Sequence, residues 1–221
     1  MTQMSQNFSS FVILGGGQHA YLIHSLAAKQ EINIIGWMDE AGLTRFKESS
    51  DFIHLIKDSD YLELSSKGVG LIPGIASHKL WAKRSDLLKR LIDSSNSTPN
   101  IFDTRALVSD KVQLGQGNQF LGNCFIQSFV QIGDWSIFNS GSIVEHDSII
   151  GDYVHIAPGV TVCGGVTIGS GSYIGAGSTI LEGVTIGENV LIGAGSLVIK
   201  DVESGVIQYG VPSSRRGRNY D

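Results

Sequence analysis

Residues 149–198 read IIGDYVHIAPGVTVCGGVTIGSGSYIGAGSTILEGVTIGENVLIGAGSLV. Every sixth residue is apolar: Ile150, Ile156, Val162, Ile168, Ile174, Ile180, Ile186, Ile192 and Val198. The register runs back without a break through Val144, Phe138, Ile132, Ile126, Phe120, Leu114 and Val108, sixteen positions in all. A helix repeats every 3.6 residues and a strand every two, so neither produces a period of six. A hexapeptide period marks a parallel β-helix. Each hexad supplies a short strand and a corner, and three hexads close a triangular coil with one apolar residue per face pointing inward. The fourth residue after each anchor is small or β-branched: Ser136, Ser142, Ser148, Val154, Val160, Val166, Ser172, Ser178, Val184, Val190 and Ser196. A second inward slot near the corner demands this. Some ~90 residues at ~18 per coil make roughly five coils.

The part before the repeat is built differently. Phe11-Val12-Ile13-Leu14 reads as a buried strand and leads into Gly15-Gly16-Gly17. A helix is predicted over residues 19–29, with Leu22, Ile23 and Leu26 on one face. Strands follow at 32–38, ending at Asp39-Glu40, and at 69–72, ending at Pro73-Gly74; residues 61–64 read as a short helix or strand. An amphipathic helix over 78–93 carries Leu80, Leu87, Leu88 and Leu91. This alternation predicts a small parallel α/β domain over 1–98. The turn-rich segment Ser94-Ser95-Asn96-Ser97-Thr98-Pro99 leads to an all-β domain over 99–221, whose pattern stops near residue 200.

Composition narrows the function. The net charge is −5, and Lys and Arg form no long run, which argues against nucleic acid or an anionic membrane as partner. The N-terminal stretch is polar, and no apolar run approaches ~20 residues, so a cytoplasmic protein is expected. Twenty-eight glycines concentrate after residue 113, where tight corners call for positive φ. Cys124 and Cys163 are read as thiols in small core-facing slots, neither a disulfide nor nucleophiles.

Three motifs carry chemistry. Gly15-Gly16-Gly17-Gln18-His19-Ala20 fits G-x-G-x-x-G/A between a strand and a helix, where backbone N–H groups cradle phosphate. Asp39 ends the next strand some twenty residues later, where an acid meets a ribose or base. The α/β part is one mononucleotide half, which disfavours a redox dinucleotide site. Glu145-His146-Asp147 places three titratable residues in a repeat otherwise built of small and apolar ones. A histidine beside carboxylates suits a general base. His155 lies half a coil further on, hence on another face of the prism; on its own it reads equally as a surface histidine. Gly164-Gly165 offers bare backbone to a developing oxyanion.

Taken together, Asn139, Glu145 to Gly151, His155 to Gly159, the glycine-rich loop and Gly210-Val211-Pro212 resemble the bacterial nucleotide-sugar N-acyltransferases of the left-handed β-helix class and the related sialic acid O-acetyltransferases. The resemblance covers nearly the whole chain and carries the handedness of the β-helix with it. It implies His146 as general base, oriented by Asp147. It implies acetyl-CoA as co-substrate, held by Asn139, His155, Gly164, Ala176 and Ala194, and no metal. It implies a nucleotide-activated amino-sugar, a 4-amino-4,6-dideoxy-sugar in the leading reading, held by Gly15, Gly17, Gln18, His19, Asp39, Glu40 and Gly74. It implies a homotrimer with acetyl-CoA between adjacent prisms. In one place the chain departs from the family loop G-A-x-G-H-G: Gln18 and Ala20 replace glycines, while His19 is kept.

Three other readings compete with N-acetylation. The same base could serve O-acetylation of a sialic-acid-like hydroxyl. A β-helical zinc enzyme needs three histidines on the metal, and the repeat holds only His146 and His155. A non-catalytic trimeric scaffold leaves the polar run at 145–147 without a purpose.

Overall fold

The computed structural model describes residues 9–39, 52–76, 81–91 and 98–218. Glu40, His78, Leu80 and most of the 94–99 connector lie outside them. The chain divides into two compact units, Met1–Ile101 and Phe102–Asp221, a little past the boundary read at 98/99.

The first unit is a four-stranded parallel sheet. Its elements run β1 (Ser10–Leu14), α1 (Gln18–Lys29), β2 (Ile34–Met38), β3 (Ile53–Leu55), α2 (Asp58–Ser65), β4 (Val69–Pro73) and α3 (Trp81–Leu91), with strand order β3-β2-β1-β4. β1 and β4 are apolar runs whose residues are nearly all buried, as central parallel strands require. The buried stripe of α1 is Ala20, Ile23, Leu26 and Ala27, while Leu22 is exposed. That corrects the predicted face: Leu22 sits one residue, ~100° of turn, from Ile23. β2 begins at Ile34 because the chain first leaves α1 through Glu31 at φ 57°. α2 resolves the ambiguity at 61–64 in favour of helix. Asp60 Oδ2 accepts the Ile56 and Lys57 N–H groups (3.2 and 3.0 Å), satisfying donors at its N-terminus. β3 was not foreseen; it is three residues long, with Ile53 and His54 exposed. On α3, Leu88 and Leu91 are buried as the stripe predicts.

The second unit is the predicted β-helix, left-handed as its class implies. Two-residue strands recur every six residues from Ile101–Phe102 to Leu197–Val198 and stack in parallel on three faces, each strand pairing with the one eighteen residues on. Of the sixteen anchors, all are buried except Val108 and Leu114, which belong to the first coil at the end of the stack. Phe102, Phe120 and Phe138 pile up inside one face with ring centroids 4.8 and 5.1 Å apart. Each fully buried side chain of this size contributes about 1.5–3 kcal/mol.

The second inward slot is buried throughout, and its serines explain why a polar residue is tolerated there. Ser136 Oγ donates to Gly151 O (3.0 Å) and accepts from Val154 N (2.9 Å); Ser172 Oγ makes the matching pair with Gly187 O and Val190 N (2.9 and 3.0 Å). Ser136 and Ser172 thus pin one coil to the next with their hydroxyls paired, whereas the buried Ser142 Oγ has no partner among the described residues. The corners turn through a left-handed residue in every hexad from Gly117 to Gly195, usually glycine, asparagine or aspartate. Beyond the last coil, Val206–Gly210 and Ser213–Arg218 form an antiparallel hairpin on one face. Among the described residues no helix is long and apolar enough to cross a membrane.

Candidate active site

Two places in the chain gather functional side chains. The first is the corner that follows strand Ile143–Val144. Its left-handed slot falls on Asp147 (φ 59°), a residue type that adopts this conformation readily. The turn brings Asp147 Oδ2 to 2.8 Å from His146 Nδ1. An ionised carboxylate only accepts, so Nδ1 carries the hydrogen and Nε2 presents its lone pair. Both side chains are exposed, 58 % for His146 and 65 % for Asp147. The Asp147 hydrogen bond holds the imidazole pKa above the ordinary value of about 6.5, with the charges of Asp147, Glu145 and Glu182 adding to it.

Gly164 lies one coil further along the same corner. A Cβ placed there would stand 2.9 Å from His146 Cε1 and 3.0 Å from Nε2. Only a glycine lets the imidazole edge rest on that backbone. The Gly165 N–H is taken by His146 O (2.9 Å), whereas among the described residues the Gly164 N–H has no backbone acceptor. The imidazole and a side-chain-free backbone therefore share one spot. Glu182, a coil beyond Gly164, was not marked from the sequence. Its signal was present: it stands two eighteen-residue coils after His146.

The remaining repeat residues lie elsewhere. Ala176 and Ala194 are exposed and stacked at a different corner, where Gly195 N donates to Ala176 O (2.8 Å). Asn139 is half-buried at the end of a strand on the face leading to that corner. His155 sits on that same face, not on the face of the strand preceding His146, as half a coil predicts. It is not a surface histidine: it is 2 % exposed, with its ring edge-on to Tyr173 at 4.8 Å. A residue just before an anchor points outward, but the outer side of this face is covered here, since Gln119 and Ile137 are buried too. Cys163 also departs from its reading. It follows the anchor Val162, so it starts the corner and is half-buried, whereas Cys124 fills a true inward slot and burial pushes its thiol up to about 12.

The second place is in the first unit. A cavity of about 430 Å³, an ordinary size for a small-molecule site, opens at the carboxyl ends of β1, β2 and β4. In this strand order β2 and β4 flank β1 on opposite sides, so the crevice is the switch point where open α/β sheets take ligands. Gly15 and Asp39 line it, together with Leu14, Met38, Ile75 and three charged residues the sequence did not flag, Asp58, Asp86 and Arg90. Arg90 pairs with Asp58 (2.5 Å). The Asp39 carbonyl lies 3.0 Å from His54 Nε2, and His54 stacks on Trp37. Gly17 and Gln18 are exposed and His19 half-buried at the start of α1, outside the lining. Gly74 is wedged in packing: a Cβ there would strike Leu14 O at 2.6 Å and the Ala20 methyl at 2.8 Å. Among the described residues no group of three or more His, Cys, Asp or Glu could hold a metal ion.

The family model for the bacterial transferase hexapeptide (six repeats) matches residues 147–182 and 165–200. A solved variant of perosamine N-acetyltransferase from Caulobacter crescentus, in complex with CoA and GDP-perosamine, is 29 % identical over 97 % of this chain and 100 % of its own, with a TM-score of 0.83. Over residues 147–200 the chain carries the hexapeptide-transferase repeat. WeeI from Acinetobacter baumannii AYE aligns at 25 % identity and TM-score 0.75, over 93 % of this chain and 99 % of its own. The acetyltransferase domain of PglB from Neisseria gonorrhoeae FA1090, in complex with acetyl coenzyme A, shares its fold at 23 % identity and TM-score 0.81, over 95 % and 100 %. No curated protein matches the chain.

The exposed imidazole gives a base role for His146 a pH signature. A base must be neutral to act, so kcat/KM is then expected to fall as pH drops through the raised His146 pKa. Asp147→Asn removes the carboxylate that raises it. The acidic limb of the pH–rate profile is then expected to move to lower pH while the plateau falls, because the ring loses both orientation and charge stabilisation. An unmoved limb in the variant would detach that ionisation from His146.

Proposed function

We propose that this transferase carries an acetyl group from acetyl-CoA to the amine of a nucleotide-linked amino-sugar, in the leading reading a 4-amino-4,6-dideoxy-sugar, for surface glycan or glycoprotein synthesis. The observation that carries the reading is the His146–Asp147 pair resting on Gly164: an oriented imidazole whose edge lies beside a glycine backbone. The full-length likeness to a transferase solved with CoA and GDP-perosamine supports the acceptor class.

An amine on a sugar is mostly protonated at neutral pH and then carries no lone pair. The ammonium sheds one proton to solvent; the free amine then attacks the thioester carbonyl, His146 Nε2 takes a second proton from the attacking nitrogen, and Asp147 stabilises the resulting imidazolium. The Gly164 N–H stabilises the oxyanion. Collapse expels the CoA thiolate, which the imidazolium proton neutralises. Atoms balance without a covalent enzyme intermediate, and neither cysteine is needed. In the first unit, the crevice with Gly15 and Asp39 takes the nucleotide, with Gly17, Gln18 and His19 at the helix start and Glu40 after Asp39 serving the same ligand.

Asn139, His155, Gly164, Ala176 and Ala194 serve acetyl-CoA. One chain spreads these over two corners of the prism, with His146 and Gly164 at one and Ala176 and Ala194 at the other. A homotrimer that sets one subunit's first corner against a neighbour's second completes the site, and closed cyclic symmetry repeats it three times.

Asp39→Ala is expected to raise KM for the nucleotide-sugar and leave the acetyl-CoA KM unchanged in steady-state thiol-release assays. Equal weakening of both ligands would refute a separate nucleotide crevice in the first unit.

A further inference from the structure

The corner slots of the β-helix hold three residues out of line with the rest. From 117 to 195 every sixth residue has positive φ, and most are glycine, asparagine or aspartate. Three aromatics occupy this slot: Phe129 (φ 64°), Trp135 (61°) and Tyr153 (56°). A bulky side chain in the left-handed region is strained, so each needs a compensating reason. Trp135 has one in its packing. It is 3 % exposed and lies over Gly117, where an added Cβ would come within 2.2 Å of its ring. Phe129 has none of that kind, being 61 % exposed.

Its place in the stack supplies the reason. Residues 127–130 form the corner between strands Phe125–Ile126 and Gln131–Ile132. Those strands pair in register with Ile143–Val144 and Ile149–Ile150. Phe129 therefore stands one coil, ~4.8 Å, from Asp147, on the side of the base opposite Gly164. Along the coil axis the slot reads Phe129, Asp147, Gly165, Gly183. A Cβ added at Gly165 or Gly183 would meet nothing within 4 Å. One side of the base is bare backbone and the other an exposed aromatic ring. A thioester carbonyl needs close approach to a backbone N–H and takes the bare side. The acceptor, attacking from across the base, is left with the ring.

We infer that Phe129 is the acceptor-side wall of the catalytic corner and a specificity-determining residue, reading an apolar edge of the sugar, a face or substituent that offers C–H in place of hydroxyl. This rests on the acetyl-transfer reading above. Aromatic rings bind such edges and gain nothing from a hydroxyl, which loses its water against them. A sugar with a methyl at C6 fits this wall; its counterpart with a hydroxymethyl group does not.

The test compares kcat/KM for these two nucleotide-linked amino-sugars in wild type, Phe129→Ala, Phe129→Leu and Phe129→Gly. Wild type is expected to favour the methyl-bearing sugar by on the order of tenfold or more, the scale of one apolar contact. Phe129→Ala is expected to bring the ratio towards parity while the acetyl-CoA KM stays put, and Phe129→Leu to restore part of the preference. Phe129→Gly is expected to lose selectivity yet melt no lower than wild type, because glycine suits this slot. A preference that survives in Phe129→Ala overturns the inference and leaves acetyl transfer intact. A lower melting temperature for Phe129→Gly, a change of oligomeric state in sedimentation, or equal loss for both sugars and acetyl-CoA would make the ring structural and overturn it as well. No turnover of any amine by the wild type would overturn the transfer reading first, and this inference with it.

Discussion

His146→Ala is expected to lower kcat by a factor on the order of 10²–10⁴ while acetyl-CoA binding is nearly unchanged. The imidazole is exposed and packs only along its own corner, so its removal leaves no cavity and takes no anchor from the coil. Stability should hold, and the variant's melting temperature checks that. What is lost is the proton acceptor: without Nε2 the attacking nitrogen must give its proton to water. The split matters more than the size. A fall in kcat with unchanged acetyl-CoA affinity by calorimetry identifies a group acting in the chemical step. A matching loss of acetyl-CoA affinity would place His146 in cofactor binding instead.

Gly164→Val is expected to have the second largest effect, a loss of on the order of 10²-fold in kcat, the scale on which small misplacements of catalytic groups act. Its first added carbon would fall 2.9 Å from His146 Cε1, inside normal contact distance, and the branched methyls would cover the donor N–H. The ring must swing away, and in doing so it strains or breaks the 2.8 Å bond to Asp147. Because the ring can move into solvent, the fold should survive, and circular dichroism melting is expected to show little change. A broadened or shifted His146 imidazole resonance would accompany the lost activity. Full activity in Gly164→Val would mean that the contact between ring and backbone plays no part in catalysis.

These expectations share a source in the eighteen-residue coil. A parallel β-helix makes distant sequence positions neighbours by simple addition, so His146, Gly164 and Glu182 stack because their numbers differ by eighteen. The inward anchors, the small second slot and the glycine-rich corners were legible because each position in the hexad meets the same surroundings in coil after coil. Legibility failed where that sameness failed. Leu114 has the sequence of an anchor but lies in the end coil and is exposed. His155 occupies an outward slot, so its exposure depends on what covers that face, which no local pattern encodes. Cys163 was assigned to the inward slot although its offset from Val162 places it at the start of the corner.

The α/β unit was harder to read. A three-residue strand such as β3, half exposed, carries no periodic signal. The charged lining of the cavity comes from β2, α2 and α3, which only the folded sheet brings together. Gly15 and Asp39 were recognisable because a strand end followed by a glycine or an acid has a local signature. Arg90 in the last turn of α3 had none.

The most direct measurement of the central claim is thiol release from acetyl-CoA by the purified chain, with UDP-, GDP- and dTDP-linked amino-sugars set against their hydroxyl counterparts and sialic-acid-like sugars, in wild type and His146→Ala. The expected result is release that requires one nucleotide-linked amine, yields the amide, and disappears in the variant. Release that proceeds with a sugar hydroxyl and no amine, or that persists undiminished in His146→Ala, would contradict it.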